Sequence, residues 1–419
     1  MKIILVNYRY FISGGPEKYL FNIKEILEKH GHAVIPFSIR HNKNRPSPYE
    51  NYFMKPLGTG DEVYANEYPK KNLKTILTVI GRMLYSFEAK RKIKKLIRDT
   101  QPDIVYLLYY QNKMSASVVD GAYQMGVPIV QRISDFGHIC VDNLFYIYQK
   151  REICERCLHG SRLNAIRYRC VDNSVINSFL KVLALKIQDF RNTTKKISAF
   201  VFPAEFTSNK FKEFGIPDHK RHHIPTFYNQ ANEPAGEIMY DDFFLYVGRV
   251  DPDKGMLTLV KAFEETPYRL IIIGSSIDGH DEFLKNHLIG KNHHITFLGK
   301  LEFTEIRPYL QRCLCTICPS EWYENMPNTV LESYAHEKAV IASGLGALLD
   351  EVPDYETGLN FKVGNHIDLR AKVKLLFENK ELAKKLGSKG KQKLLKEYSE
   401  KQHYEKLIDL FNTVKNENN

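Results

Sequence analysis

Short apolar segments rich in β-branched residues alternate with helical segments along this chain, and the alternation runs twice. In the first half the predicted strands are Lys2–Val6, Val34–Ser38, Asp103–Leu107, Pro128–Ile133 and Ala199–Phe202. In the second half they are Phe243–Val247, Leu270–Ile273, Ile295–Phe297, Cys315–Cys318 and Ala339–Ile341. The helical segments of the first half include Glu17–His30, Glu88–Arg98 and Ser115–Gln124. Strands that alternate with helices form parallel sheets from βαβ units, so the pattern predicts two α/β domains.

The two runs of alternation meet at residues 229–242, which contain Asn, Glu, Pro and Gly and are interpreted as a linker. The sequence therefore predicts an amino-terminal Rossmann-like domain over residues 1–228 and a carboxy-terminal Rossmann-like domain over residues 243–395. Ligands of open parallel sheets bind beyond the carboxyl ends of the strands. Two such domains that face each other would form a deep interdomain cleft.

Composition and charge restrict the class of protein. The 419 residues are 43% hydrophobic and 26% charged, as expected for a globular protein of two or three domains. There is no run of about 18 apolar residues, and the apolar start is too short for a secretion signal, so we expect a cytoplasmic location. The net charge of +11 favours an anionic partner. No zinc-finger, RRM-type or helix-turn-helix signature accompanies it, so we expect no nucleic-acid partner.

The stretch after the fourth strand of the second half is the most informative. Pro327 fits the first turn of a helix, where its missing N–H costs nothing. Glu324 then lies in the loop before the helix, and Glu332 lies about one turn inside it. Free backbone N–H groups near Asn328 and Thr329 favour an anion. Together these groups suit a polyol and its phosphates, and two solvated glutamates beside an ordinary helix are the alternative.

A second segment follows the first strand of the second half. Gly248 allows a tight turn there, and Arg249 and Lys254 then lie beside the mouth of the cleft. A guanidinium fork and an ammonium group both suit a diphosphate. They would stabilise the charge that a nucleoside diphosphate gains as it leaves. Two surface cations on a turn are the alternative.

A third segment, with Gly14 and Gly15, opens the first helix. Two adjacent glycines let the backbone approach a ligand closely, and the helix start adds its dipole. The spacing is not G-x-G-x-x-G, so it gives little support to dinucleotide binding.

These three segments, in this order, resemble those of the family 4 glycosyltransferases. The resemblance implies the GT-B fold, with two facing Rossmann-like parallel-sheet domains, and a final helix, residues 396–419, that crosses back to the first domain. It also implies retaining transfer of a hexose-type sugar from a UDP- or GDP-sugar to a glycan or lipid-linked acceptor. The family's proposed front-face mechanism needs no metal ion or other cofactor. Surface polysaccharide biosynthesis is the pathway that the analogy suggests.

The resemblance also implies a role for each residue of the three segments. Glu324 and Glu332 look like the family's E-x7-E pair, with Glu324 on the donor hexose and Glu332 on the nucleotide ribose. The implied catalytic residues are Arg249, Lys254 and Glu324. The implied donor-binding residues are Gly14, Gly15, Gly248, Asn325, Met326, Pro327, Asn328, Thr329 and Glu332.

The acceptor side departs from the family pattern. The family often carries His-Asp after the strand that ends here near Ile133, whereas this chain has Ser134 and Asp135. His138 lies three residues further on. Asp135 and His138 are therefore the acceptor-side candidates.

Four of the seven cysteines fall in one stretch of the first half. Cys154 and Cys157 form a C-x-x-C pair, and Cys140 and Cys170 flank it. Four such thiolates can bind zinc tetrahedrally, so a structural zinc site is one interpretation and free or buried thiols are the other. An odd number of cysteines without a signal peptide does not favour a disulfide framework.

Residues 70–98 form the most basic stretch, with ten Lys or Arg and one acidic residue. Leu84, Ile93, Leu96 and Ile97 are interleaved with these charges, which is typical of a basic amphipathic helix. Such helices bind anionic membrane surfaces, so the protein would lie peripherally at the inner face of the membrane. A solvated basic helix face is the alternative.

Two other functions stay open on the sequence. A sugar-nucleotide epimerase on the same fold would interconvert free nucleotide sugars, and the E-x7-E loop argues against it. A catalytically weak nucleotide-sugar-binding scaffold would bind the donor without turning it over. The altered acceptor side is what motivates this second alternative.

Overall fold

Two six-stranded sheets, each with all strands parallel, form the framework of the protein in the computed structural model. The structure describes residues 1–57, 73–111, 113–229, 236–276 and 279–417. The predicted fold class of two facing α/β domains is confirmed. Part of the predicted linker, residues 230–235, lies outside the described residues, so the linker bounds stay a prediction.

The first sheet has the order β2-β1-β3-β4-β7-β8, and β5 and β6 form a separate antiparallel hairpin. The strands are β1 Lys2–Asn7, β2 Ala33–Phe37, β3 Ile104–Tyr109, β4 Ile129–Arg132, β5 Tyr146–Ile147, β6 Glu152–Ile153, β7 Ala199–Phe202 and β8 Arg221–His223. The helices are α1 Gly15–Lys29, α2 Leu73–Tyr85, α3 Phe87–Thr100, α4 Ser117–Tyr123, α5 Asn164–Arg167, α6 Val175–Phe190, α7 Thr193–Lys196 and α8 Glu205–Glu213. Short 3-10 helices cover Glu50–Tyr52 and Asp218–Lys220.

The second sheet has the order β11-β10-β9-β12-β13-β14. Its strands are β9 Phe243–Val247, β10 Arg269–Ile273, β11 His294–Gly299, β12 Cys315–Cys318, β13 Ala339–Ser343 and β14 Gly358–Phe361. The helices are α9 Met256–Phe263, α10 His280–Leu288, α11 Phe303–Arg312, α12 Asn328–Ala335, α13 Ala347–Glu351, α14 His366–Glu378, α15 Lys380–Glu397 and α16 Glu400–Glu417. A 3-10 turn covers Pro252–Lys254.

Strand order places the ligand crevice in both sheets. The first strand of each sheet, β1 or β9, lies inside the sheet, and later strands lie on both of its sides. Loops therefore leave neighbouring carboxyl ends in opposite directions, which opens a crevice at that point. The strands are nearly continuous apolar runs, such as Ile3 to Val6, each at most 1% exposed. Helices cover both faces of such parallel sheets, so both faces of each strand are apolar.

Two strands of the six-stranded sheets escaped the sequence pattern. β8 reads Arg-His-His and β14 reads Gly-Leu-Asn-Phe, so neither has the apolar run of a buried strand. The predicted final helix, residues 396–419, is α16, which Tyr398 and Ser399 separate from α15. Both strands lie at sheet edges, where burial is needed on fewer sides.

Helix α16 crosses back and completes the core of the first domain. Leu407, Leu410, Phe411 and Val414 are buried in one cluster with residues of β1, β3 and α1. The Phe411 ring meets the Tyr106 ring edge-on, with centroids 5.2 Å apart. The two places where the chain passes between the domains lie side by side. There the Tyr228 N–H donates to the carbonyl of Tyr398, just before α16, at 3.0 Å.

The described part of the basic stretch forms helices α2 and α3, but the apolar face of α3 packs into the protein. Residues 70–72 lie outside the described part of the chain. On α3, Ile93, Leu96 and Ile97 are buried in the core of the first domain, so these apolar side chains are not available to a lipid surface. The prediction was wrong for α3 because the interleaved apolar residues face the protein. No helix of the described residues is long and apolar enough to cross a membrane.

Candidate active site

Two glycines at the ends of neighbouring strands shape the second domain's side of the cleft. Gly248 follows β9 and Gly274 follows β10, and the Gly248 N–H donates to the Ile273 carbonyl at 3.0 Å. Gly274 has a φ of +149°, and a Cβ there would lie only 1.7 Å from the Gly248 carbonyl oxygen. Glycine is therefore required at position 274 for the two loops to approach this closely.

Arg249 and Lys254 lie after β9 and share an aromatic neighbour, Trp322. Arg249 Cζ and Lys254 Nζ are 5.8 Å and 4.7 Å from the centroid of its ring. The guanidinium pairs with Asp251 and, at 2.7 Å, with Asp253, yet the side chain stays 41% exposed. These contacts orient the two cations and leave donor groups of Arg249 open to an anion.

Glu324 is a buried carboxylate that three donors hold through one oxygen. Oε1 accepts from Lys254 Nζ at 2.5 Å, Ser320 Oγ at 2.6 Å and Trp322 Nε1 at 2.9 Å. Burial works to raise the pKa of Glu324, but the three donors, led by Lys254, outweigh it and lower that pKa. The carboxylate is thus ionised at neutral pH. Because these donors all go to Oε1, Oε2 keeps its capacity to accept from a hydroxyl group.

Helix α12 starts at the cleft and carries the second glutamate. The sequence predicts Pro327 in the first turn of this helix, but Pro327 is its N-cap, one residue earlier. Thr329 Oγ1 donates to the Val247 carbonyl at 3.2 Å, which ties the helix start to the end of β9. The Glu332 side chain is 14% exposed, and Lys18 Nζ from α1 lies 3.9 Å from it. Burial raises the pKa of Glu332, and Lys18 works against that rise.

The loop before α12 also contacts the amino-terminal domain. Asn325 Nδ2 donates to the Ile133 carbonyl at 2.9 Å, and its Oδ1 accepts from Thr207 at 2.7 Å. Tyr323 donates to Glu155 Oε1 at 2.7 Å. This loop is therefore positioned by both domains. The side chain of Asn325 is occupied by these bonds, so its part in holding a donor would be played by its backbone.

The glycine pair of α1 lies across the cleft from α12. Gly14 is the N-cap of α1, and a Cβ added to Gly15 would lie 3.5 Å from Asn328 Nδ2. The starts of two helices thus lie close to each other from opposite domains. Both present N–H groups that favour a negative charge between them.

A cavity of about 590 Å³ fills the space between the domains at these residues. All catalytic and donor-binding residues predicted from the sequence line it, namely Gly14, Gly15, Gly248, Arg249, Lys254, Glu324, Asn325, Met326, Pro327, Asn328, Thr329 and Glu332. A cavity of about 330 Å³ adjoins it and shares Lys18, Phe303 and Glu332 with it. The combination of cations, helix starts and carboxylates can bind a diphosphate at one end and polyols at the other.

The two acceptor-side candidates lie in different surroundings. Asp135 lines the cavity, and its carboxylate accepts from the Gly137 N–H at 2.8 Å and from Asn143. His138 does not line it, because the ring is buried against Phe200 and bonded to the side chain of Gln131, 3.0 Å away. Burial lowers the pKa of His138 to about 3. The imidazole is neutral and enclosed, so it does not substitute at the cleft for the missing family histidine.

Sequence reasoning missed three cleft residues: Trp322, Lys18 and Phe303. Trp322 is the single tryptophan of the chain and stands two residues before Glu324, which is a signal that the spacing argument overlooked. Lys18 and Phe303 reach the cleft from α1 and α11. Their neighbours in sequence give no indication of this, because the approach depends on how the domains meet.

The four predicted zinc ligands come together outside this cleft. Cys140, Cys154, Cys157 and Cys170 line one small cavity beside hairpin β5–β6 and are free thiols. The hairpin and α5 to α7 belong to an insertion between β4 and β7 of the first sheet.

Comparison with known proteins identifies the second half of the chain. Residues 230–393 match the family described as glycosyl transferases group 1. An uncharacterized glycosyltransferase of Methanocaldococcus jannaschii is 30% identical over 206 residues, or 48% of this chain and 55% of that protein. The capsular polysaccharide biosynthesis glycosyltransferase CapM of Staphylococcus aureus is 24% identical over 196 residues, or 44% of this chain and 50% of that protein. The matches thus span about half the length of these relatives.

Solved structures resemble the whole chain. Sucrose-phosphate synthase of Thermosynechococcus elongatus superposes with a TM-score of 0.69 at 14% identity, over 99% of this chain and 98% of the other. Anabaena HepE in complex with UDP and glucose gives a TM-score of 0.63 at 14% identity, over 98% and 99% of the two chains. At this identity the likeness shows the fold, which is GT-B. The sequence match to the group 1 glycosyl transferases covers residues 230–393, in the second half of the chain.

Proposed function

We propose that this protein is a retaining glycosyltransferase that moves a hexose from a UDP- or GDP-sugar to a glycan or a lipid-linked saccharide. The observation that carries the proposal is the convergence of Arg249, Lys254, Glu324 and Glu332 on one interdomain cavity. The relative CapM, named for capsular polysaccharide biosynthesis, supports surface polysaccharide assembly as the pathway. The complex of HepE with UDP and glucose supports UDP as the first nucleotide to test.

In this proposal each group binds one part of the donor. The diphosphate lies against Arg249, Lys254 and the start of α12, where positive charge and free N–H groups are concentrated. Glu332, one helical turn further on, accepts from the ribose hydroxyls. Glu324 uses Oε2 to accept from a hexose hydroxyl while Oε1 stays with Lys254. One carboxylate therefore positions both the sugar and the cation that binds its leaving group.

The chemical step in this proposal is a front-face displacement at the anomeric carbon. The acceptor hydroxyl oxygen forms a bond to that carbon on the face from which the diphosphate departs, and the bond from carbon to the diphosphate oxygen breaks. The hydroxyl proton passes to that departing oxygen. Arg249 and Lys254 stabilise the negative charge as it develops, which is the part that a metal ion plays in other transferases.

Exposed apolar side chains of the first domain support an acceptor held at a membrane. Leu73, Ile76 and Leu77 are 73%, 42% and 60% exposed and lie on one face of α2. Helix α6 packs against α2 and also has exposed apolar side chains, Ile176 and Phe179. With a net charge of +11 for the chain, this surface suits the anionic face of a bilayer. The membrane contact is thus assigned to α2 and α6 instead of α3.

The assignment of Glu332 predicts a specific loss of donor affinity. Glu332→Gln is expected to weaken binding of the matching nucleoside diphosphate by about 10- to 100-fold, because a hydrogen bond to a charged group is lost. Isothermal titration with UDP, GDP and ADP measures this and identifies the base. Glu356→Gln, an exposed glutamate of the same domain, is the matched control and should bind like the wild type. Unchanged affinity in a folded Glu332→Gln protein would contradict the ribose contact.

The α2 surface predicts binding to anionic vesicles. Leu77→Glu is expected to reduce co-sedimentation with vesicles that contain phosphatidylglycerol by about tenfold or more, because a charge replaces buried apolar area. Leu349→Glu, at a leucine 49% exposed in the second domain, is the control. Equal binding of both variants, or no binding of the wild type, would show that the acceptor is not met at a membrane through α2.

A further inference from the structure

The cavity beside hairpin β5–β6 collects thiols that are far apart in the sequence. Cys140 follows β4, Cys154 and Cys157 follow the hairpin, and Cys170 precedes α6. All four line the same cavity. The fold thus brings cysteines from three separate loops to one cavity. Cysteines without a common role would not need to lie together.

Hydrogen-bond donors lie beside three of the four sulfurs. Backbone N–H groups hydrogen-bond to the sulfurs of Cys140 and Cys157. Arg156 Nη1 lies 3.2 Å from Cys154 Sγ. Thiolates are the form that binds metal ions, and donors of this kind around a C-x-x-C turn orient and stabilise them.

A partly buried carboxylate lies in the same cavity. Asp142 lines it together with the cysteines. Among the described residues its Oδ2 is buried and has no hydrogen-bond partner. Buried polar groups are normally satisfied, and Lys181 supplies a positive charge that acts on Asp142 and on Cys140.

We propose that this cavity is a structural zinc site with Cys140, Cys154, Cys157 and Cys170 as its four thiolate ligands. Four sulfurs around one point suit the tetrahedral geometry of zinc. No three of these sulfurs lie within 4.8 Å of one another as the described chain is arranged. Binding therefore requires the sulfurs to move closer together.

The proposed site would fix one wall of the cleft. Glu155 lies inside the C-x-x-C turn, between Cys154 and Cys157. Its carboxylate accepts from Tyr323 at 2.7 Å and from Lys210 at 3.0 Å. Tyr323 directly precedes Glu324, so the zinc-bound turn would hold the loop that carries this glutamate. The zinc assignment itself does not depend on the proposed transferase activity.

The test is the metal content of the purified full-length protein, measured by inductively coupled plasma mass spectrometry. We expect about one zinc ion per chain. Cys157→Ser is expected to lose most of it, whereas Cys313→Ser, a buried cysteine of the second domain, should retain it. Equal zinc in both variants, or iron in place of zinc, would overturn the assignment.

Two measurements on the wild-type protein decide the matter even where Cys157→Ser does not fold. Replacement of zinc by cobalt should give the visible absorption of a tetrahedral cobalt–thiolate centre. Addition of a chelator should make four further thiols reactive towards a thiol reagent. A wild-type chain that binds neither metal after reconstitution under reducing conditions would show that the cysteines are free thiols only.

Discussion

Replacement of Arg249 and Lys254 together by alanine is expected to lower kcat by about 1,000-fold or more. Removal of a single preorganised donor at a developing charge commonly costs 100- to 1,000-fold. These two cations share Trp322 and line the same cavity. Because the negative charge grows mainly as the diphosphate leaves, kcat should fall more than KM rises. Steady-state assays with the donor identified by titration measure both constants.

The matched control removes the same charge from the same domain. Arg269 is exposed at the opposite end of β10, and the side chain of Lys285 is 44% exposed on α10. Alanine at both positions should leave kcat near the wild-type value. Loss of Lys254 leaves Glu324 without its closest cation, so Arg249→Gln alone serves where the double variant is unstable. Near-normal turnover of a folded Arg249→Gln protein would contradict the assigned role.

Phe411→Ala is expected to lower the free energy of unfolding of the first domain by about 3–5 kcal/mol. The ring is fully buried and meets Tyr106 of β3 with centroids 5.2 Å apart. This decrease is a large part of the free energy of unfolding of a typical domain. Urea unfolding measures the free energy, and amide hydrogen exchange shows where the stability is lost. Exchange should become faster in β1 and β3. Exchange in the second sheet should change little.

The neighbouring position on α16 provides the control. Asn412 is exposed, so Asn412→Ala should change the free energy of unfolding by less than about 0.5 kcal/mol. Similar effects of Asn412→Ala and Phe411→Ala would show that α16 does not belong to the core of the first domain.

The parts of the site that the sequence predicts are the local ones. Glu324 and Glu332 are placed by a strand, a loop and a helix that follow one another directly, and Arg249 and Lys254 are placed by a turn at a strand end. Spacing along the chain is enough to put such residues on the same edge of a sheet. These four side chains line the cavity, as the pattern indicates.

The parts that escaped prediction depend on contacts between distant segments. The approach of Lys18 to Glu332 joins two domains, and no spacing relates the two residues. By sequence His138 is an acceptor-side candidate, but its side chain packs against Phe200 in the core. On α3, Ile93 gave the pattern of an amphipathic surface helix because periodicity does not say whether the apolar face meets lipid or protein.

The return of α16 to the first domain sets the order in which the protein can be completed during synthesis. Phe227, at the end of the first domain, packs in the same core cluster as Leu407, although the whole second domain is translated between them. At about 5–20 residues per second, the ribosome needs roughly 10–40 s to cover this interval. The domain that emerges first is therefore finished last, and its apolar surface for α16 stays uncovered while the second domain is still being made.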